Sequence, residues 1–209
     1  MSVMPSELQV PRAGATSRAW YASSIADFLS SGPDEVLGLL ARNSTFSVEM
    51  TQRDAWLGEI SFLREELRGL IGSIFFEFSI PRMGRRIDVV LLLGNVLFVV
   101  EFKVGAITVD RAALDQVWDY ALDLKNFHQA SHHLPIVPIA LASAAIDVQP
   151  FQLLADDDDV YRPVAATPAT FRAVVEAALL RLCDGEVDAQ QWHAAPYRPT
   201  PTIVEAARA

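Results

Sequence analysis

The sequence predicts a mixed α/β domain in which helices flank a central β-sheet, with core elements in the order αβββαβ. Three observations favour this class: a long helical repeat over 49–71, three β-rich runs between 74 and 102, and a second helical repeat over 110–128 that precedes a buried strand over 135–142. Of the 209 residues, 51% are apolar and 21% are charged, which excludes a disordered chain and suffices for one ordinary core.

The N-terminal part divides into an arm and a helical extension. We expect residues 1–18 to form a flexible arm and residues 19–48 a helical extension, with short helices near 20–30 and 34–42. The α/β domain then covers 49–185. Its first helix carries apolar residues at steps of four, three, four and three: Trp56, Ile60, Leu63, Leu67 and Leu70.

Three strands follow this helix. Residues 74–80 are rich in Phe and Ile and stop at Pro81, which cannot donate a hydrogen bond to a sheet. The runs 87–93 and 96–102 are separated by Gly94-Asn95, the signal of a two-residue hairpin. Both runs are apolar on both faces, which is typical of inner strands.

The two-residue turn predicts the register of this hairpin. It pairs Leu93 with Val96, so that Asp88 lies opposite Glu101 on one face, with Cβ atoms about 5 Å apart. Lys103, two residues beyond Glu101, points to that face as well. Two opposed and poorly hydrated carboxylates repel each other, and Mg²⁺, which prefers oxygen ligands, resolves that conflict. We therefore favour a metal site over an ordinary ion pair between Lys103 and one acid.

Other side chains are expected to converge on these acids. Glu59 borders the buried face of the first helix, where it is either a third acidic ligand or a glutamate in solvent. Gln116 and Tyr120 are four residues apart on the second helix, and both can point inward. Glu77, between two phenylalanines of the first strand, is expected to face opposite to both, as a further acid near the site or as polar surface.

Charge gives a mixed indication about nucleic acid. The net charge of −9 argues against tight binding of a polyanion, but residues 53–111 hold equal numbers of acidic and basic side chains. Arg82, Arg85 and Arg86 lie one loop before Asp88. They either contact backbone phosphates or form a solvated basic turn.

The remaining segments bear on domain organisation and location. Residues 171–182 predict a late helix, and residues 186–209 are expected to be a linker and the start of a truncated second domain, because Pro-Thr-Pro-Thr is typical of linkers. The longest apolar run, 89–100, is too short to span a bilayer, and the N-terminus lacks a signal-peptide pattern. With Cys183 as the single cysteine, we expect a cytoplasmic protein without a membrane partner.

Together, these residues resemble the motifs of the PD-(D/E)XK nuclease superfamily, in order, over roughly 50–142. Ile87 stands where many members have proline before the aspartate, a departure common among divergent members. The matching elements are the helix glutamate Glu59, the Gly-x-x-x-Asp element Gly84-Arg85-Arg86-Ile87-Asp88, the Glu-x-Lys element Glu101-Phe102-Lys103, and the Gln-x-x-x-Tyr element of the RecB-like branch, Gln116-Val117-Trp118-Asp119-Tyr120.

Longer segments resemble the N-terminal region of bacterial proteins in which a nuclease-like domain precedes a Schlafen-type DNA/RNA helicase ATPase. These segments are 76–84, 101–105, 115–128 and 199–203. The resemblance implies that 186–209 leads into a helicase domain absent from this chain. In keeping with this, the 209 residues contain no Gly-x-x-x-x-Gly-Lys-Ser/Thr phosphate loop.

The resemblance implies a nuclease that uses Mg²⁺ or Mn²⁺ and hydrolyses phosphodiester bonds in DNA or RNA, DNA being favoured, with a role in phage defence. It assigns Asp88, Glu101 and the Phe102 carbonyl to the metal, with Glu59 as an outer or second-metal ligand.

It also implies that Lys103 positions water or neutralises the transition state, and that Gln116 and Tyr120 orient Lys103 or contact the phosphate. One alternative stays open: a catalytically silent module that keeps the nuclease fold to bind nucleic acid or a partner protein.

Overall fold

The computed structural model describes residues 17–44, 50–148, 150–201 and 203. The arm predicted at 1–18 lies outside this part of the chain except for its last two residues. Arg18 is anchored there: its guanidinium donates to the Ala195 carbonyl at 3.1 Å and lies 4.9 Å from the centre of the Tyr197 ring.

Six strands form one mixed sheet whose spatial order is the order of the strands in the chain. The first four pair antiparallel, and the fourth, fifth and sixth pair parallel. They are β1 (Tyr21–Ser24), β2 (Ser73–Ile80), β3 (Arg85–Leu93), β4 (Val96–Lys103), β5 (Ile136–Ala142) and β6 (Val164–Ala166).

Helices cover both faces of the sheet. One layer contains α1 (Ile25–Ser30), α2 (Pro33–Asn43), α3 (Met50–Glu66) and α5 (Phe171–Leu182); the other contains α4 (Arg111–Phe127) and α6 (Ala189–Ala194). The mixed α/β class is therefore confirmed. Within the described residues, no helix combines the length and the apolar character that a membrane crossing requires.

The central hairpin provides the core with side chains on both faces. Val89 and Phe98 pack toward the layer of α3, whereas Val90 and Leu97 pack toward the layer of α4, and all four are fully buried. Each such side chain contributes about 1.5–3 kcal/mol by leaving water. Gly94, with φ +62°, makes the turn that joins the two strands.

The structure corrects three boundaries. The helix predicted near 20–30 begins as β1, whose Tyr21 pairs with Phe76; the helix starts only at Ile25, after Ser24 caps it by accepting from the Asp27 N–H at 3.0 Å. The helix predicted to reach 71 ends at Glu66, and Gly69 follows with a left-handed φ of +77°.

The third correction concerns the segment predicted as a linker. Residues 189–194 form α6, and Trp192 within it is fully buried, 4.9 Å from Phe75 between ring centres. Further along, Tyr197 bridges to His128, so residues 186–198 pack on the domain rather than leave it.

Candidate functional site

The hairpin register is confirmed. Leu93 pairs with Val96, and the ladder continues to Val89 opposite Val100. The regular pairing ends there, one residue short of Asp88 and Glu101. The Asp88 carboxylate there accepts a hydrogen bond from the Phe102 N–H at 2.8 Å, which ties the two strands together where the regular ladder ends.

In both β2 and β3, the regular alternation of side chains between the two faces of the sheet is interrupted next to Asp88. Phe76 packs with the α3 layer and Phe78 with the α4 layer, although residues two apart in a regular strand share a face. The residue between them, Glu77, has a left-handed φ of +51°. Its neighbour strand shows the same change between Val89 and Ile87. The prediction that Glu77 faces opposite to both phenylalanines is therefore wrong, because its backbone interrupts the alternation.

Lys103 and Gln116 hold Glu101 in a hydrogen-bonded network. The Lys103 ammonium donates to Glu101 Oε1 at 3.2 Å and to Gln116 Oε1 at 2.8 Å. The Gln116 amide donates to Glu101 Oε1 at 2.7 Å and to the Tyr120 hydroxyl at 2.8 Å. The structure thus brings Glu101, Lys103, Gln116 and Tyr120 together at the C-terminal end of β4.

Glu59 faces this cluster from the opposite helical layer. It is 7% exposed, which excludes the alternative of a glutamate in solvent. Burial, followed by the charges of Asp88, Glu77 and Glu101, raises its pKa well above the usual range. Four acidic residues therefore influence one another at the end of the sheet, and we call Glu59, Glu77, Asp88 and Glu101 the acid cluster.

The pKa values of the two opposed acids are raised as well. Burial is the largest cause for Asp88, then the charge of Glu101, while the hydrogen bond from Phe102 acts against both. Burial also raises the pKa of Glu101, against the opposing charge of Lys103. The folded protein is thus destabilised when all four carboxyls of the acid cluster are ionised.

Sequence reasoning left the role of Glu77 open, and the structure gives it defined partners. Its carboxylate accepts from the Trp56 indole at 2.8 Å and from Arg86 Nε at 2.7 Å, and it is 8% exposed. Both oxygens are thereby occupied by donors of this chain. The sequence signal for this buried role is the position of Glu77 as a single acid inside an apolar run, between Phe76 and Phe78.

The three loop arginines have different surroundings. Arg86 binds Glu77 and lies 4.1 Å from the centre of the Trp20 ring, so it points into the domain. Arg82 lies 3.4 Å from the centre of the Phe127 ring, with its Nε 3.8 Å from the Asp123 carboxylate.

Arg85 is the loop arginine that reaches the network. It is exposed, and burial raises the pKa of Tyr120 against the opposing effects of hydrogen bonds from Gln116 and Arg85. The Tyr120 hydroxyl accepts from the Gln116 amide at 2.8 Å, and Arg85 lies near enough to lower its pKa.

The donor set suits a hard divalent cation, although it is not preformed. Within the described ranges, no group of three or more His, Cys, Asp or Glu side chains is arranged to hold a metal ion as it stands. Yet Glu101 Oε2 is buried without a hydrogen-bond partner, which is costly for a carboxylate oxygen. A cation at that oxygen would satisfy it and relieve the repulsion among the acids.

Comparison with known proteins places the chain in no group: no family model, no curated protein and no solved structure matches it.

Proposed function

We propose that this chain is a nuclease domain that uses Mg²⁺ or Mn²⁺ to hydrolyse phosphodiester bonds in DNA, with RNA as the second candidate polymer. It would form the N-terminal part of a cytoplasmic helicase–nuclease and belong to the PD-(D/E)XK superfamily. The observation that carries the proposal is the unpartnered buried Oε2 of Glu101, near enough to Asp88 for the two charges to repel each other. The other oxygen of Glu101, Oε1, lies 3.2 Å from the Lys103 ammonium.

The residues that would hold the cation are Asp88, Glu101 and the Phe102 carbonyl, with Glu59 approaching from α3. When bound, such a cation supplies Lewis acidity that activates water and neutralises charge on phosphate oxygens. Its two positive charges would also return the raised pKa values of these carboxyls toward ordinary ones, so that they are ionised at neutral pH.

Lys103 would neutralise charge on the phosphate or position the attacking water. Its ammonium donates to Glu101 and Gln116, which fixes its place beside the acids, and its side chain is still 28% exposed toward solvent. Preorganised donors of this kind are effective because they need no rearrangement as charge develops. Gln116 and Tyr120 act through Lys103 and Glu101, and we treat both as positioning residues.

Among the loop arginines, Arg85 is the best candidate for a phosphate contact, because it is exposed and adjoins the Tyr120 hydroxyl. Arg82 would contribute from the side of Phe127. Arg86 would serve the fold, since it is bound to Glu77.

A second function is favoured by the charge of the chain. A silent nuclease-fold module that binds a partner protein, or nucleic acid weakly, agrees with the net charge of −9 and with the internal engagement of Arg86. Such a module has no need for an unpartnered buried carboxylate oxygen beside a lysine, which is why we rank it second.

The decisive experiment is cleavage of circular single-stranded DNA, plasmid DNA and a structured RNA in Mn²⁺, Mg²⁺ or EDTA. Asp88→Asn and Lys103→Met remove one charge each and should abolish cleavage. Asp119→Asn is the matched control, because Asp119 is exposed on the same helix as Gln116. Metal-dependent cleavage that survives only in the wild type and in the control supports the proposal.

If no polymer is cleaved, calorimetry of Mn²⁺ binding to the same proteins distinguishes the two functions. Binding that disappears in Asp88→Asn supports a metal site whose activity depends on the helicase domain. No Mn²⁺ binding by the wild type overturns the hydrolytic proposal and leaves the silent module.

A further inference from the structure

A small cavity adjoins the acid cluster on the side of α3. It has a volume of about 230 Å³ and lies between the middle of α3 and the C-terminal ends of β4 and β5. Its walls are largely aromatic and aliphatic: Phe62, Phe102, Val104, Leu141 and Pro168. The two phenylalanine rings meet edge to face, with centres 5.9 Å apart.

The rim of the cavity is polar and is shared with the site. Glu59 and Phe102 belong both to the cavity and to the set of candidate metal ligands. Ser143 is held at the rim, because its hydroxyl accepts from the Gly105 N–H at 2.8 Å. Glu59 therefore connects the cavity to the acid cluster.

One exposed side chain indicates that the cavity takes an apolar surface. Val104 directly follows Lys103 and is 59% exposed, although it lines the cavity. A flat ring with apolar faces and hydrogen-bonding edges would cover Val104, fill the aromatic walls and meet the polar rim. A nucleobase has this shape and chemistry, and bases stack favourably on aromatic side chains.

We propose that the cavity beside Glu59 and Phe102 binds an unstacked nucleobase adjacent to the phosphate at the acid cluster. The inference rests on the proposed function. It names the substrate class as a single strand, or a duplex opened at the site, because a base inside an intact duplex cannot leave its stack to enter the cavity without an energetic cost.

A second depression fits this role less well. An open groove of about 620 Å³ beside α4 is lined by Trp118 and by two ion pairs, Arg111 with Asp115 and Arg162 with Asp156. None of the residues that line that groove belongs to the acid cluster.

Gly58 provides a test that leaves the acids untouched. It lines the cavity, lies on the exposed side of α3, and a Cβ added there meets no other atom within 4 Å. Gly58→Ala is the matched control, because it adds only that Cβ. Gly58→Leu adds a larger side chain at a residue that lines the cavity, and neither change introduces backbone strain.

The measurement compares two labelled single strands of equal charge. One is an eight-nucleotide poly-dT, and the other is the same backbone with every base removed. Affinities are measured by fluorescence anisotropy in Ca²⁺, which takes oxygen ligands as Mg²⁺ does. We expect the wild type and Gly58→Ala to prefer poly-dT by roughly tenfold, and Gly58→Leu to lose that preference while its affinity for the abasic strand stays unchanged.

The outcomes separate this inference from the proposed function. A preference for poly-dT that is unchanged in Gly58→Leu, or that is absent from the wild type, overturns the base site even if the wild type cleaves DNA. If the preference depends on Gly58 but the protein cleaves nothing, the base site is supported and only the hydrolytic proposal is weakened.

Discussion

The Gln116 amide joins three polar groups of the candidate site, and Gln116→Met removes all three hydrogen bonds while keeping the size of the side chain. Two of the bonds involve charged partners, Lys103 at 2.8 Å and Glu101 at 2.7 Å, and the third reaches the Tyr120 hydroxyl at 2.8 Å. Hydrogen bonds to charged groups contribute about 1.5–3 kcal/mol and neutral ones about 1 kcal/mol.

The expected loss is smaller than the full sum of these contributions. Lys103 is 28% exposed, so water replaces part of what its ammonium loses. We therefore expect Gln116→Met to lower the free energy of unfolding by about 2–4 kcal/mol. In a chain of this length the melting temperature should fall by roughly 4–16 °C.

Thermal and urea unfolding followed by circular dichroism measure this loss in EDTA. Gln191→Met is the matched control, since Gln191 is exposed on α6 and its change should stay within about 0.5 kcal/mol. Calorimetry on the same proteins should show Mn²⁺ affinity reduced by about 10- to 100-fold in Gln116→Met, as for other residues that orient a metal ligand. If the two variants unfold alike, the network does not stabilise the domain as described.

Three further predictions concern charge, acid stability and a close backbone approach. Because burial raises the pKa of Asp88 in the folded protein, metal-free stability should fall as pH rises from about 4 through that raised value. Asp88→Asn should flatten this fall and raise the stability in EDTA at pH 7. It should also abolish stabilisation by Mn²⁺, and equal stabilisation of the wild type and Asp88→Asn by Mn²⁺ would contradict the metal site. Burial lowers the pKa of His128 to about 3, so stability present above pH 6.5 should be lost toward pH 3, by about 2 kcal/mol at pH 5. The difference between urea titrations of the wild type and His128→Gln isolates that loss, and parallel pH curves would refute it. Gly72→Ala should lower the unfolding free energy by about 1–3 kcal/mol, because φ is +149° and the added Cβ overlaps the Leu92 carbonyl. Gly38→Ala, whose Cβ meets nothing within 4 Å on α2, should instead stabilise by about 0.5–1 kcal/mol in the same urea titration.

The central part of the fold could be predicted from the sequence because its signals are local. The turn at Gly94-Asn95 determines the register of β3 and β4 as far as Val89 and Val100, and the next residues along, Asp88 and Glu101, lie close enough for their charges to interact. The spacing of Gln116 and Tyr120 correctly indicated that both side chains face the sheet, where the structure places them in one network.

The elements missed by sequence analysis depend on contacts from distant parts of the chain. β1 and β6 have four and three residues, too few for a period to appear, and both exist through pairing with longer strands. The face change at Glu77 was missed because strict alternation was assumed across a residue with left-handed backbone. α6 was missed because one tryptophan, Trp192, anchors an otherwise polar segment.

The sheet has a consequence for how the domain is made. Since its strands lie side by side in chain order, each strand from β2 onward adds to the sheet next to the strand that precedes it in the chain. The acid cluster, Lys103, Gln116 and Tyr120 all lie between residues 59 and 120. A ribosome that has released the chain to the end of α4 has therefore delivered every group of the candidate site, before β5 has emerged to cover the edge of β4.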